Sequence, residues 1–308
     1  MGLSPSFPVP TALVLARGAL TGLAKRPAGY RDPLPELRLS RPGVRIDPAR
    51  VAAYAELCGF SLGGGGRGGA LPLTYPHVLG FPLAVRIMAA RAFPLPLAGL
   101  IHTGLTITAH HALRITDRPE LTVFAADLRP HRRGTQVTLV TRAELGGEVV
   151  WEDHSTYLAR HDQTPNEPPG VPAVETGPSD PAPELRPTPS GADPSAEGVT
   201  GLSGGGVAVE QVWRLPADLG RRHARVSGDY NPIHLHPWTA RPFGFPHPIA
   251  HGMWTAARCA ATDLTATTLT ARFHHPIPLP STVHFTSTTP HFEVRSPSGH
   301  LHASGELR

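Results

Sequence analysis

The chain has 308 residues, of which 17% are charged and 6% aromatic, while 36 are proline and 32 are glycine. This balance indicates a globular protein with many turns and at least one poorly ordered stretch. The net charge of +4 suits an anionic small ligand. The one dense basic run, RPHRRG (129–134), has no interleaved aromatic residues, which argues against nucleic-acid binding.

The first candidate element is the apolar stretch 11–24, which Arg17 interrupts. The stretch lacks a positively charged lead and is too short to span a bilayer, so we interpret it as a helix lying on the body of the protein. The two cysteines, Cys58 and Cys259, are far apart in sequence and have no ligand-like spacing. They are typical of buried small residues in a reducing compartment, so the sequence predicts a cytoplasmic protein without a membrane span.

Two helices and a series of strands are predicted before residue 161. Asp47-Pro48 is a plausible N-cap and first-turn proline for a helix over 51–60, and a loop then leads to an apolar helix over 82–93. Gly146-Gly147 has the composition of a hairpin turn. Alternating, β-rich runs follow the second helix; they are 100–115, 120–130, 135–145 and 148–160.

The composition changes sharply at 161–205, which is rich in proline, glycine, serine and acids and almost free of large apolar residues. Such a segment buries too little surface to offset its ordering entropy, so we expect a linker. The glycine run 63–69 lacks the GK[ST] ending of a phosphate-binding loop and is interpreted as a surface loop. The predicted organisation is an N-terminal extension, a first domain, the linker and a second domain, over residues 1–40, 41–160, 161–205 and 206–308.

The second half repeats the order of the first half. The segment 217–229 takes the place of the first helix, and a long loop leads to a helix over 253–264. Strands over 268–277, 282–296 and 300–308 close the half. The two halves are therefore interpreted as degenerate repeats, and periodicity alone indicates an α+β protein.

The segment 227–255 carries the most specific motif. It contains SGDYNPIH (227–234), then Gly244-Phe245, then IAHGM (249–253). This spacing closely resembles the signature of MaoC-like hydratases and dehydratases. Stretches of both halves also resemble actinobacterial 3-hydroxyacyl-thioester dehydratases; these are 46–57, 71–83, 101–103 and 271–283.

The resemblance implies a double hot-dog fold, in which two antiparallel sheets each wrap a long central helix. It implies reversible hydration of trans-2-enoyl thioesters and dehydration of (3R)-3-hydroxyacyl thioesters, carried by coenzyme A or acyl carrier protein, in fatty-acid metabolism. It assigns catalysis to Asp229 and His234, support to Asn231 and an oxyanion-binding amide to Gly252. No cofactor is expected.

These residue types suit that chemistry. Dehydration removes a weakly acidic proton from C2 and protonates the leaving hydroxyl at C3, which calls for an acid/base group such as histidine. Asp229 and His234 lie five residues apart in a loop held by Pro232, and Asn231 can orient a water or a neighbour. The amide of Gly252, at the start of a predicted helix, can stabilise charge on the thioester oxygen.

Several other residues are candidates for substrate contact. Arg241, Arg272 and His274 could bind coenzyme A phosphates or the pantetheine arm, although a solvated surface position is an equal alternative for each. His251, which precedes the helix, is assigned to the site as a packing or loop-fixing group. The nearby histidines invite a zinc site, but no HExxH occurs, so no metal is predicted.

The first half lacks the catalytic residues. If Cys58-Gly59 is aligned with Ser227-Gly228, Phe60 stands where the second half has Asp229. We therefore expect one active site, with the first half housing the acyl chain. Two alternatives stay open: a hot-dog thioesterase, for which Asp263 is the one carboxylate on the predicted helix, and a non-catalytic acyl-thioester-binding subunit. A homodimer is also possible.

Overall fold

The structure is a computed structural model that describes residues 34, 36–61, 69–97, 99–161 and 209–308. The predicted N-terminal helix over 11–24 lies outside these residues, as do nearly all of the glycine run and of the linker. The helices of the described residues are α1 (Pro48–Cys58), α2 (Tyr75–Ala89), α3 (Leu219–Ser227), α4 (Pro237–Ala240) and α5 (Gly252–Ala260), with 3-10 turns at Pro232–His234 and Arg241–Phe243.

The start of α1 follows the predicted capping pattern. The side chain of Asp47 accepts a hydrogen bond from the amide of Ala49 at 3.0 Å, and Pro48 occupies the first turn. Both features satisfy or remove amide groups that a helix start leaves without partners.

The predicted bounds of α2 are wrong by seven residues at its start and four at its end. Pro82, where the prediction began the helix, lies inside it, and Pro76 occupies the first turn. A proline inside a helix removes one backbone hydrogen bond. Extensive burial of apolar side chains on this helix offsets that loss.

The predicted end of α5 is also wrong, because the helix stops at Ala260. Beyond it the hydrogen bonds span three residues, as in a 3-10 helix. They run from the amide of Thr262 to the carbonyl of Cys259 and from the amide of Asp263 to the carbonyl of Ala260. Such bonds satisfy the final carbonyls of a helix and end it.

The strands form one ten-stranded antiparallel sheet in the order β1-β3-β4-β5-β2-β7-β10-β9-β8-β6. Their bounds are β1 (Arg38–Arg41), β2 (Ile101–Ala109), β3 (Glu120–His131), β4 (Gly134–Leu145), β5 (Glu148–Arg160), β6 (Val209–Leu215), β7 (Thr268–Phe273), β8 (Ser281–Thr288), β9 (His291–Arg295) and β10 (Leu301–Leu307). From the outer edge to the middle of the sheet, the first half has the order β1-β3-β4-β5-β2 and the second half the equivalent order β6-β8-β9-β10-β7. Two related repeats require this correspondence.

The two predicted sheets are joined where β2 pairs with β7, from Gly104 opposite Arg272 to Thr108 opposite Thr268. Helix α2 packs on β3 and β4, and α5 packs on β7. Each half therefore wraps its own helix, which confirms the predicted α+β class and double hot-dog arrangement.

The ends of α1 and α3 are equivalent in the two halves. Each helix ends in a left-handed glycine, Gly59 with φ of 81° and Gly228 with φ of 83°. The next residue is Phe60 in the first half, buried against Tyr54, and Asp229 in the second. The structure thus supports the alignment that leaves the first half without a catalytic acid.

No helix among the described residues is long and apolar enough to cross a membrane. Cys58 and Cys259 are both free thiols that are fully buried, in agreement with their interpretation as small core residues.

Candidate active site

The loop that carries the candidate catalytic residues begins where Gly228 ends α3. Gly228 has a positive φ, a conformation that residues with a side chain rarely adopt. It ends the helix and turns the chain, so that Asp229 lies outside the helix. The amide of Asp229 donates to Ser227 Oγ at 3.1 Å, and the amide of Asn231 donates to Asp229 Oδ1 at 3.1 Å. The amide of Ile233 in turn donates to Asn231 Oδ1 at 3.4 Å. This series of local bonds fixes the carboxylate of Asp229, which is 24% exposed.

His234 lies in the 3-10 turn that follows, and its side chain is buried. Its Nδ1 is 2.7 Å from the carbonyl oxygen of Ile249. A carbonyl can only accept a hydrogen bond, so Nδ1 carries the proton and Nε2 presents a lone pair. The backbone of Ile249 therefore sets the tautomer that a general base needs.

His251 holds both catalytic candidates. Its ring stacks on that of His234, with 3.6 Å between the centroids. Its Nε2 donates to the carbonyl oxygen of Asp229 at 3.0 Å and lies 3.7 Å from Asp229 Oδ2. The sequence placed His251 in the site as a loop-fixing group, and this geometry agrees with that position.

Burial keeps these imidazoles neutral. Desolvation and then the neighbouring His251 lower the pKa of His234, while Asp229 and the Ile249 carbonyl raise it, and the net pKa is about 3. Desolvation likewise lowers the pKa of His251 to about 4. Both histidines are therefore buried bases that stay neutral at physiological pH.

The same three residues form the one group of potential metal ligands among the described residues. Ligand atoms of Asp229, His234 and His251 all lie within 4.8 Å of one another. Tetrahedral zinc with ligands at about 2.0–2.1 Å needs ligand atoms roughly 3.4 Å apart. His251 Nε2 would also have to release the Asp229 carbonyl. The arrangement therefore fits acid/base chemistry better than it fits a metal ion.

Gly252 begins α5 beside these groups. The first amide of a helix has no intrahelical partner, and among the described residues no side chain caps this one. The helix dipole adds positive potential at the same place. A Cβ at Gly252 would lie 3.0 Å from the ring of Phe273, which leaves little space for a side chain there. Gly252 lines the cavity, and the lack of a side chain leaves room for close approach to its backbone from that side.

A cavity of about 710 Å³ connects these residues with the first half. Asp229, Asn231, His234, His251 and Gly252 all line it. The first half contributes an apolar wall, consisting of Val78, Phe81, Val85 and Met88 from α2 and Leu97 and Leu100 from the following loop. Sites of this volume with few polar groups are typical of small-molecule binding.

Four exposed arginines also line the cavity and mark its entrance; they are Arg132, Arg133, Arg160 and Arg272. His274 lies nearby and bonds to Ser304 Oγ at 2.8 Å. Asp229 is the one acid in the lining that the described residues provide, so the entrance is electropositive. Arg241 is exposed on its 3-10 turn and does not line the cavity.

The sequence interpretation missed a polar group in the first half. His77, His102 and Tyr157 line the cavity, and Asp153 is buried behind His77. A signal was present in β5, since Asp153, Ser155 and Tyr157 alternate on the inward face of the strand. A second buried histidine, His223, packs against His251 with 4.4 Å between ring centroids.

Comparisons with known proteins agree with the fold. The family model described as MaoC like domain matches residues 209–294. The 3-hydroxyacyl-thioester dehydratase X of Mycobacterium tuberculosis is 36% identical over 255 residues, which cover 82% of this chain and 80% of that protein. The crystal structure of HtdX from Mycobacterium tuberculosis has a TM-score of 0.66 at 30% identity, covering 88% of this chain and 99% of that chain.

A MaoC-like dehydratase from Phytophthora capsici has a TM-score of 0.62 at 17% identity, covering 89% of this chain and 96% of that chain. At that identity the likeness concerns the fold alone.

The buried imidazoles predict loss of stability in acid. Burial lowers the pKa values of His223, His234 and His251 in the folded state. Below pH 6.5 these three histidines therefore bind protons in the unfolded chain but stay neutral in the folded protein. Each such group costs about 1.4 kcal/mol of unfolding free energy per pH unit below 6.5, until its folded pKa is reached. Chemical denaturation at pH 7 and pH 5 measures this loss.

His223→Leu provides the matched test, since neither ring nitrogen of His223 has a hydrogen-bond partner among the described residues. We expect unfolding free energy at pH 7 within about 1 kcal/mol of wild type, because no side-chain bond is lost. The decrease from pH 7 to pH 5 should be smaller than in wild type. An unchanged decrease would show that His223 is not held neutral.

Proposed function

The chain belongs to the MaoC-like dehydratase family, and we propose that it interconverts (3R)-3-hydroxyacyl thioesters and trans-2-enoyl thioesters in fatty-acid metabolism. It is a hydro-lyase, and the reaction adds or removes one water across C2 and C3. The observation that carries the assignment of roles is the convergence of Asp229, His234 and the Gly252 amide on one cavity.

In the dehydration direction, His234 Nε2 takes the proton from C2. Gly252 donates its amide hydrogen to the thioester oxygen, which stabilises the negative charge that develops there. The imidazolium that forms is stabilised by the Asp229 carboxylate and by the carbonyl of Ile249, both of which favour the charged ring. These contacts lower the energy of a proton transfer that burial alone would oppose.

The same proton completes the reaction. The imidazolium of His234 passes it to the hydroxyl at C3, the C3–O bond breaks, the C2–C3 double bond forms and water leaves. Asp229 accepts a hydrogen bond from that hydroxyl and orients it. The enzyme returns to its neutral imidazole, so no cofactor is needed.

The acyl chain extends along α2. Helix geometry places Met88 roughly 16 Å from His77 along the helix axis. The apolar side chains between them line the cavity continuously on one helix face. Burial of each methylene against this wall contributes about 0.8 kcal/mol, which favours substrates longer than crotonyl.

The arginines at the entrance suit the anionic end of the substrate. Arg132, Arg133 and Arg160 come from the first half and Arg272 from the second. Phosphate groups occur both in coenzyme A and in the phosphopantetheine of acyl carrier protein. Exposed positive charge attracts either carrier.

The thioesterase alternative finds no support in the geometry. Asp263 lies beyond the end of α5, and its Oδ1 accepts from the amide and the hydroxyl of Thr265 at 2.9 and 2.6 Å. It does not line the cavity. The complete set of acid/base groups likewise argues against a purely binding role.

The compartment and the assembly belong to the proposal as well. Two buried free thiols are typical of a reducing environment, so we place the reaction in the cytoplasm. A homodimer stays a prediction, since one chain already supplies both hot-dog halves.

Removal of either acid/base group should abolish turnover. We expect Asp229→Asn and His234→Gln to lower kcat for hydration of crotonyl-CoA by about 10²–10⁴-fold, the usual contribution of general acid/base catalysis. Loss of absorbance at the enoyl band measures the rate, and circular dichroism verifies the fold.

The control is His247→Gln, since His247 is exposed and does not line the cavity. It should retain wild-type activity. Full activity in folded Asp229→Asn and His234→Gln would overturn the assigned roles.

Arg272→Gln should raise KM for coenzyme A thioesters about 3- to 5-fold at low salt, with little change in kcat. One exposed charge contributes up to about 1 kcal/mol, and added salt screens it. Steady-state kinetics at two ionic strengths measure the effect. Arg225→Gln, on an exposed position outside the cavity, is the control. Equal KM values for Arg272→Gln and wild type at low salt would remove Arg272 from the substrate site.

Val85→Phe should shorten the acyl chains that the enzyme accepts. The larger ring projects from α2 into the apolar part of the cavity and occupies the volume that distal carbons need. We expect the ratio of kcat/KM for dodecenoyl-CoA to that for crotonyl-CoA to fall at least about tenfold. An unchanged ratio would place the acyl chain elsewhere.

A further inference from the structure

A buried histidine–carboxylate pair lies in the first half, which has no counterpart of Asp229 after its first helix. Asp153 on β5 is fully buried, and His77, in the first turn of α2, hydrogen-bonds through Nδ1 to its Oδ2. Ser155 Oγ donates to both carboxylate oxygens, at 2.9 and 3.2 Å. These contacts hold the His77 ring in a fixed orientation on the wall of the cavity.

This arrangement is costly if the first half only houses a hydrocarbon chain. Burying a carboxylate costs several kcal/mol, and well-packed apolar residues often serve stability equally well or better. The other side chains of α2 that line the cavity, such as Phe81 and Val85, are apolar. A polar group at this position therefore calls for a polar partner.

His102 provides an independent sign of that partner. It lines the cavity, yet its Nε2 is buried and has no hydrogen-bond partner among the described residues. Burial and the neighbouring His77 lower the pKa of His102 to about 3. A neutral imidazole with an unused ring nitrogen can bond to a neutral oxygen-bearing group.

Tyr157 adds a phenol to the same group. Its ring stacks on His102 with 4.7 Å between the centroids. The ring of His77 also stacks on His102, with 6.3 Å between the centroids. Burial first, then Asp153 and Asp229, raise the pKa of Tyr157, so it stays a hydroxyl donor. Three polar side chains of the first half thus face one part of the cavity.

The position of this group relative to the reacting carbons follows from ring contacts. His102 packs edge-on against Phe273 at 5.2 Å, and Phe273 in turn covers Gly252. On the other side, His77 lies 6.2 Å from the ring of Phe81, where the apolar wall begins. The polar group therefore lies between the thioester-binding amide and the apolar channel.

We propose that His77, His102 and Tyr157 form a polar subsite that binds a hydroxyl or keto oxygen on the acyl chain a few carbons beyond C3. The preferred substrates are then oxygenated acyl thioesters. This inference rests on the proposed function, because it takes the reacting carbons to lie between Asp229, His234 and Gly252. The same oxygen chemistry occurs in the pantetheine amides, so the test must separate the two sources.

The test compares two substrates that share the same carrier, (E)-hex-2-enoyl-CoA and (E)-5-hydroxyhex-2-enoyl-CoA. We expect wild-type enzyme to hydrate both and to favour the hydroxylated substrate in kcat/KM. In His102→Phe, which keeps an aromatic ring and removes the polar atoms, that preference should fall about tenfold, the loss expected for one hydrogen bond of about 1.4 kcal/mol.

A second variant removes the subsite without leaving a buried charge. His77→Leu/Asp153→Leu replaces the pair by apolar side chains, a change that buried ion pairs commonly tolerate. It should lower the same preference. The matched control is His154→Phe, since His154 lies on β5 between the inward-facing residues and is exposed. It should keep the wild-type preference.

The outcomes are distinguishable. If wild type hydrates neither substrate, the proposed function fails. If wild type hydrates both without preference, or if the preference survives in both subsite variants, the subsite proposal fails while the function stands. An equal loss on both substrates would assign the polar group to pantetheine and would also overturn the proposal.

Discussion

The pairing of β2 with β7 is the constraint on which the rest of the molecule depends. These two strands join the halves into one sheet, and Phe273 at the end of β7 covers Gly252 while it contacts His102 on β2. The cavity consequently has one wall from the second half, which carries Asp229 and His234, and one largely apolar wall from α2 of the first half. Both halves therefore contribute side chains to one shared cavity.

The second feature of the site is the burial of its histidine rings. His234 lies between the Ile249 carbonyl and the ring of His251, and His251 also holds the backbone of Asp229. Burial keeps these rings neutral, so His234 retains a ring nitrogen with a lone pair, while the nearby carboxylate favours the charged form of the ring. The same burial predicts acid sensitivity of the fold, because the unfolded chain would gain protons that these buried rings do not bind.

The sequence predicted the parts of the site that are local. SGDYNPIH is a turn whose hydrogen bonds lie within a few residues, so Asp229, Asn231 and His234 could be placed from spacing and resemblance. The αL glycine after each first helix was also implicit in the alignment of Gly59 with Gly228. Contacts between distant segments were not predictable in this way. The stacking of His102 on Tyr157 depends on strand register, and the long extent of α2 depends on tertiary burial around Pro82.

A crystal structure of Asp229→Asn with a bound (3R)-3-hydroxyacyl-CoA would test the assigned roles directly. We expect the thioester oxygen within hydrogen-bond distance of the Gly252 amide, C2 facing His234 Nε2, and the acyl chain passing His77 toward Met88. A substrate whose C2 lies away from His234, or whose chain leaves the cavity without contacting α2, would contradict these roles.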